Sequence, residues 1–386
     1  MSEIKVKIKN RRTGQECTCG GEELVVVFPY GLSPLASNIE EELKKVRLAE
    51  RLGVDMVKDN SVGRKEWFKL LNMVGREIDL PIGASATLAA ANLAVDAGKK
   101  PIDVSERLFF NGFEKLAEVC DAIEIFPTIT RESLKILAES QRVNKLVISR
   151  AGNIIANYVE RTGQESPFYA DFDWFLDQAK EKEITLILGN GLRAVCLADC
   201  FDEVQMFEVK LVKEFAERAV AKGVRMIAGI FGHVDPSKTE FFETIRREIP
   251  IPIGGLGPLS TDVALGYDHI NAAISIIMFR QYIDWVSIIT PAEHIGMPSF
   301  SDAADGITAF NIARHILDLK AGKDKERDLQ MARARTRKFW CAGMPEIALN
   351  PYSPAVVARV AKEKWPSGCT LCGDWCPFVN KPTKGR

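Results

Sequence analysis

From Val25 to Ile289 the chain alternates short apolar runs with longer amphipathic stretches, and that rhythm restricts it to folds built from β/α units on a parallel sheet. The apolar runs predict strands at Val25–Phe28, Met56–Lys58, Pro81–Gly83, Ala122–Phe126, Lys145–Ser149, Thr185–Leu188, Arg225–Ile230, Ile251–Gly254 and Trp285–Ile289. Helical periodicity stands out in Ser37–Leu52, where Ile39, Leu43, Val46 and Ala49 share a face, and in Phe207–Lys222. So many units without a long linker fit a closed (β/α)8 barrel of the TIM type better than a doubly wound sheet. A barrel of this type has eight strand positions, fewer than the candidates, so one run is expected to be misassigned. The Ile251 run is the one expected to fail, because proline cannot donate to a central ladder.

The rhythm divides the chain into an N-terminal arm over 1–22, the barrel over 23–301, a helical hairpin over 302–345 and a C-terminal segment over 346–386. Ala303–Lys320 and Asp324–Cys341 read as the hairpin's two helices around Ala321-Gly322-Lys323. Asn350-Pro351-Tyr352-Ser353-Pro354 breaks that pattern, and a last helix, Ala355–Trp365, leads to a cysteine-rich tail.

Hydrophobic residues make up 46% of the 386, enough for a sizeable core, and the net charge of -1 argues against a general nucleic-acid surface. No run has the length and apolarity of a membrane span, and Met1–Arg12 lacks the apolar core of an export signal. A cytoplasmic protein acting on small molecules is expected. With no export signal, the nine cysteines are expected as reduced thiols or metal ligands. Cys369, Cys372 and Cys376 lie among Gly and Pro, a flexible loop able to wrap an inorganic centre. Three thiolates without a nearby fourth suit a four-iron cluster with one open iron; a zinc knuckle closed by a distant residue, or metal-free thiols, also fit. Cys17 and Cys19 are expected in a solvated β-turn, with a second metal clip as the other choice, and Cys120, Cys196, Cys200 and Cys341 as small core residues.

Barrel sites form past the C-terminal ends of the strands, which directs attention to three segments. Ser149-Arg150-Ala151-Gly152 offers a hydroxyl, a guanidinium and helix-start amides to an anion, or is an ordinary cap. Gly189-Asn190-Gly191-Leu192-Arg193 offers close backbone approach and two donor side chains, or is a tight turn. His233 and His294 each follow a strand, so a barrel would set both on one face, where neutral imidazoles can ligate a divalent metal such as Zn2+ or Fe2+. His269 and His315 read as structural.

Taken with Leu256-Gly257-Pro258-Leu259-Ser260-Thr261-Asp262, Gly266-Tyr267-Asp268-His269-Ile270 and Thr290-Pro291-Ala292-Glu293-His294, these segments resemble the phosphomethylpyrimidine synthase family. Those are radical S-adenosylmethionine enzymes of thiamine pyrimidine formation, and hydroxybenzimidazole synthase is their paralogue. The resemblance implies a homodimer whose cysteine loop closes over the barrel mouth, with Cys369, Cys372 and Cys376 holding a 4Fe-4S cluster that binds S-adenosylmethionine. It also implies a one-electron donor such as flavodoxin or ferredoxin, metal ligation by His233 and His294, and substrate contacts from Ser149, Arg150, Asn190, Gly191, Leu192 and Arg193. In such enzymes the cluster's electron cleaves the sulfonium and the resulting radical abstracts a substrate hydrogen.

The chain also departs from the family. The tail has three residues before Cys376 where the family has four. The family's Glu-Gly-Pro-Gly-His reads Ala228-Gly229-Ile230-Phe231-Gly232-His233, without the glutamate. Family Asn, Met, Tyr and His become Pro29, Lys58, Leu88 and Phe126, and a later Tyr is replaced around Gly254. Lost hydrogen-bond partners imply a changed ligand. The expectation is a radical enzyme acting on a small anionic cofactor precursor other than aminoimidazole ribotide, its charge held by Lys58, Arg150 and Arg193. The alternatives are a true pyrimidine or benzimidazole synthase, a lyase or hydrolase run by a metal at the histidines with a structural zinc tail, and a non-catalytic scaffold.

Overall fold

In the computed structural model, residues 4–36, 38–335, 343–353 and 375 are described. The predicted cysteine loop with Cys369, Cys372 and Cys376, the predicted helix Ala355–Trp365, and Cys341 lie outside the described residues.

Eight parallel strands close into a barrel: β3 (Val25–Tyr30), β4 (Met56–Asp59), β5 (Ile82–Ser85), β6 (Ala122–Ile125), β7 (Thr185–Leu188), β8 (Met226–His233), β9 (Ile253–Leu259) and β10 (Trp285–Ser287), with β10 pairing back onto β3. Buried on both faces, these strands lack a polar alternation, which is why they read as continuous apolar runs. Their outward residues pack on the surrounding helices. Their inward residues, including Val25, Val27, Met56, Ala122, Ile187 and Ile227, fill the barrel.

The N-terminal arm is a plug. Antiparallel β1 (Val6–Lys9) and β2 (Glu16–Cys19) set Val6, Ile8, Cys17 and Cys19 against the inward barrel residues. The expected solvated turn at the two cysteines is therefore corrected: Cys19 is fully buried and Cys17 nearly so. Burial pushes the Cys17 thiol up to about 12, which favours its protonated form. Asn10 Nδ2 and Arg11 pin the plug to carbonyls of Leu80, Ala117 and Cys120.

Two expectations about the strands exchange places. Lys145–Ser149 is irregular chain, because β6 pairs directly with β7 and leaves no ladder position between them. Its apolar residues Leu146 and Ile148 are exposed and line the barrel mouth instead of the core. The Ile251 run does supply a barrel strand. Pro252 stands just before β9 and contributes only its carbonyl, which accepts from Ala228 N at 2.9 Å, so no ladder donor is lost. Gly254 is needed in β9 because a Cβ there would collide with the Trp285 carbonyl on β10.

The expected boundary at 301/302 falls inside one helix, Phe300–Lys320. The helix Phe300–Lys320 packs on Ile39–Arg51 and Asp268–Phe279, and Asn311 and Arg314 bond the chain around Leu52, Gly53 and Asp55. It is thus packed against the helices that surround the barrel. Lys325–Arg335 follows, and His315 bridges to Asp324 and Asp328, the structural role expected of it. Among the described residues no helix is long and apolar enough to cross a membrane.

Candidate functional site

The C-terminal ends of the strands surround a cavity of about 840 Å³. Its wall is built from the loops the sequence singled out. Ser149 caps the helix Arg150–Thr162 by accepting from Gly152 N at 3.0 Å, which fixes Arg150 on the first turn, facing the cavity. Among the described residues Arg150 has no hydrogen bond or ion pair within the protein. Arg193 lies across the mouth, its Nη1 donating to the Asn190 carbonyl at 3.1 Å, while Asn190 Nδ2 donates to the Phe231 carbonyl at 2.9 Å. Gly232 leaves room for Arg193, since a Cβ there would sit 2.7 Å from its Cδ. Desolvation by the barrel wall lowers both guanidinium pKa values, yet both remain cations at neutral pH.

The two glycines of the second segment serve packing rather than a tight turn. A Cβ on Gly189 would collide with the Phe126 ring, and one on Gly191 would sit 2.5 Å from Ile129 Cδ1. Gly191 and Leu192 lie behind the wall. Leu192 N donates to both carboxylate oxygens of Glu208 at 3.1 and 3.2 Å, and Thr128 Oγ1 donates to the same carboxylate at 2.8 Å. Glu208 thus anchors the loop that carries Arg193, and burial raises its pKa to about 7.

The barrel sets both histidines on the same cavity. His233 and His294 come together with ring centroids 5.6 Å apart. Asp262 Oδ1 is 2.7 Å from His233 Nδ1, and Asp268 Oδ2 is 3.1 Å from His294 Nδ1, which leaves each Nε2 uncommitted. Asp262 is held in turn by Leu197 N at 2.9 Å. Register shifts between β8 and β9 beside His233, and a left-handed backbone at His294 (φ 63°), mark this corner as a shaped one. Burial lowers the His233 pKa against the opposing pull of Asp262, favouring the neutral ring a metal requires. Carboxylate-buttressed imidazoles are the donor set of a divalent-metal site, and the pair fits one. Among the described residues no group of three or more His, Cys, Asp or Glu is arranged around a common metal position.

Lys58 departs from expectation. Its Nζ is 2.5 Å from Glu124 Oε1, both side chains nearly buried, so the ammonium is neutralised and is not a free anion holder. Sequence reasoning missed Glu124, although an acid inside the apolar run Ala-Ile-Glu-Ile was a visible signal. It also gave no role to Asp262, Asp268 or Glu293. Glu293 lines the cavity, and burial raises its pKa despite the neighbouring His294, Arg193 and Arg150.

A parallel barrel with cationic, histidine-bearing loops at its C-terminal mouth defines a small-molecule site of the (β/α)8 class. Residues 3–381 match the Radical SAM ThiC family, and the chain belongs to it. It is 33% identical to the phosphomethylpyrimidine synthase of Methanocaldococcus jannaschii over 92% of this chain and 84% of that one. The enzymes of that name from Carboxydothermus hydrogenoformans (33% identity; 87% of this chain, 79% of that one) and Syntrophus aciditrophicus (33%; 97% and 88%) are similar in the same degree. The protein is accordingly an enzyme of ThiC-like type, and family membership implies S-adenosylmethionine and an iron–sulfur cluster.

Proposed function

We propose that the enzyme performs a ThiC-type radical conversion of a phosphate-bearing precursor in cofactor biosynthesis, with the phosphate held by Arg150 and Arg193. The observation that carries this reading is the position of the two guanidinium groups on the cavity wall, Arg150 without a hydrogen-bond or ion-pair partner among the described residues. Planar guanidinium forks suit a phosphate better than any other pair of side chains in the mouth. Ser149 and the first turn of its helix add backbone dipoles beside Arg150.

Cys369, Cys372 and Cys376 supply the three thiolates suited to a 4Fe-4S cluster, and His233 and His294 would hold a divalent metal such as Zn2+ or Fe2+. A cluster held there would pass an electron from a reductant such as flavodoxin or ferredoxin to S-adenosylmethionine, whose cleavage would give a carbon-centred radical able to take a hydrogen atom. This chain's own residues bind and orient. Arg150 and Arg193 fix the anionic end, Leu88, Phe126 and Trp285 enclose the body of the ligand, and Glu293 stands at the histidine side as a carboxyl able to hold a proton. A homodimer is part of the reading, as the family resemblance implies.

The named relatives favour aminoimidazole ribotide as substrate and phosphomethylpyrimidine as product. A different precursor is favoured by one observation, the Lys58–Glu124 pair, which sets a charged edge in the cavity floor where the family has methionine in place of the lysine. Anaerobic incubation of the reconstituted enzyme with aminoimidazole ribotide, S-adenosylmethionine and reductant tests the two. Formation of the phosphorylated pyrimidine supports the relatives' reaction. Cleavage of S-adenosylmethionine with the ribotide unconsumed supports a changed substrate, and absence of cleavage under all conditions refutes both.

A further inference from the structure

The inward positions of β4, β5 and β6 explain how a lysine and a glutamate two strands apart can touch. Lys58 pairs in register with Gly83, and Gly83 with Ala122, so Lys58 lies in the barrel layer below Glu124. Gly83 contributes no side chain between them, and a Cβ there would lie 3.6 Å from Lys58 Cγ. The lysine therefore passes over β5 and meets Glu124 at 2.5 Å.

An ion pair enclosed in a barrel loses hydration, and mutual attraction compensates only when the remaining donors and acceptors are also satisfied. Here they are not. Among the described residues neither Lys58 nor Glu124 makes a second hydrogen bond, so two ammonium hydrogens and most of the carboxylate lone pairs remain unused. Both side chains, 13% and 12% exposed, line the cavity, whose wall also includes the apolar side chains of Leu88, Phe126 and Trp285. Arg150 and Arg193 line the same cavity as the pair, so a ligand bound there faces both.

We infer that Lys58 and Glu124 together select the substrate by its ring end, and that this end carries a hydrogen-bond acceptor and a hydrogen-bond donor side by side, as in a carboxamide or a cyclic amide. The acceptor oxygen accepts a hydrogen bond from the Lys58 ammonium and the amide N–H donates one to Glu124. This completes the polar pairing the protein leaves open. A ligand whose corresponding edge has only carbon-bound hydrogen would seal the pair from water without satisfying it, and is discriminated against for that reason. The inference rests on the phosphate anchor and the changed-substrate reading given above, and it specifies the chemical class of that substrate.

Two ribotides that share the phosphate end test it. Aminoimidazole ribotide lacks the proposed edge, and aminoimidazole carboxamide ribotide carries it. Calorimetric titration of the full reconstituted enzyme should show the carboxamide binding roughly tenfold to a hundredfold more tightly. The double variant K58M/E124L should lose that preference while still binding ribose phosphate, and E124Q, which keeps the shape of the pair, serves if the double variant does not fold and should reduce the preference. Equal affinities in the unmodified enzyme, or a preference unchanged in the variants, overturns the inference and leaves the anchor intact. Failure of both ribotides and of ribose phosphate to bind overturns the anchor and the inference with it.

Discussion

Glu208→Gln gives a stability change whose sign and size follow from the structure. The carboxylate is enclosed and accepts from Leu192 N and Thr128 Oγ1, but among the described residues no cation bonds to it, and its pKa rises from 4.5 to about 7. The sign is that of a raised acid: the folded state prefers the protonated form, so the group's favourable share is full below pH 4.5 and is lost as pH rises through about 7. Integrating over the two titrations, ionising Glu208 costs the folded state about 2 to 3 kcal/mol more at pH 8 than at pH 5. Glutamine cannot ionise, and its carbonyl can still accept from Leu192 N while Thr128 reverses its hydroxyl. E208Q should therefore gain about 2 to 3 kcal/mol on the unmodified enzyme between pH 5 and pH 8. With an unfolding entropy of about 2 cal/mol/K per residue, that is a relative rise in Tm of roughly 3 °C. Asp59, raised to about 7 by the same cause, is common to both proteins and drops out of the difference. Thermal unfolding by circular dichroism at the two pH values provides the measurement. A Tm difference between E208Q and the unmodified enzyme that does not change with pH would refute the argument.

Other consequences are as direct. Arg150→Ala should leave Tm unchanged within about 1 °C, because among the described residues the side chain has no hydrogen-bond or ion-pair partner, and should weaken ribose phosphate binding by roughly tenfold to a hundredfold in calorimetry. Asp262→Asn should lower zinc affinity at the histidine pair by about tenfold to a hundredfold in a competition titration, while the fold persists. Gly189→Ala should force Phe126 out of its place and cost about 1 to 3 kcal/mol in chemical denaturation. Unchanged stability would show that the ring has another position available.

The barrel was legible in the sequence because its signal is repeated. A buried parallel strand is a short run of Val, Ile and Leu, and enough such runs at regular spacing leave few folds open. The two misassigned runs show the limit of that signal. Lys145–Ser149 has strand composition, but its apolar residues serve the mouth, and composition does not distinguish a core from a binding surface. Pro252 was read as an interruption, when a proline one residue ahead of a ladder removes no donor. The site was legible wherever its residues lie within one loop, as with Ser149 and Arg150 or Asn190 and Arg193. It was hidden wherever partners are distant in the chain. Glu124 meets Lys58 across 66 positions, Glu208 holds Leu192 from the next helix, and Asp262 reaches His233 from a separate loop. Cys17 and Cys19 were misread for the same reason: nothing local shows that a polar arm folds under the barrel and buries every second residue of its strands.

Iron content and S-adenosylmethionine cleavage, followed on one anaerobically reconstituted sample, test the central claim most directly. The account predicts a brown protein with about four iron per chain, cleavage on reduction, and loss of both in Cys372→Ala. A colourless protein that holds stoichiometric zinc, takes up no iron or sulfide and leaves S-adenosylmethionine intact would contradict it.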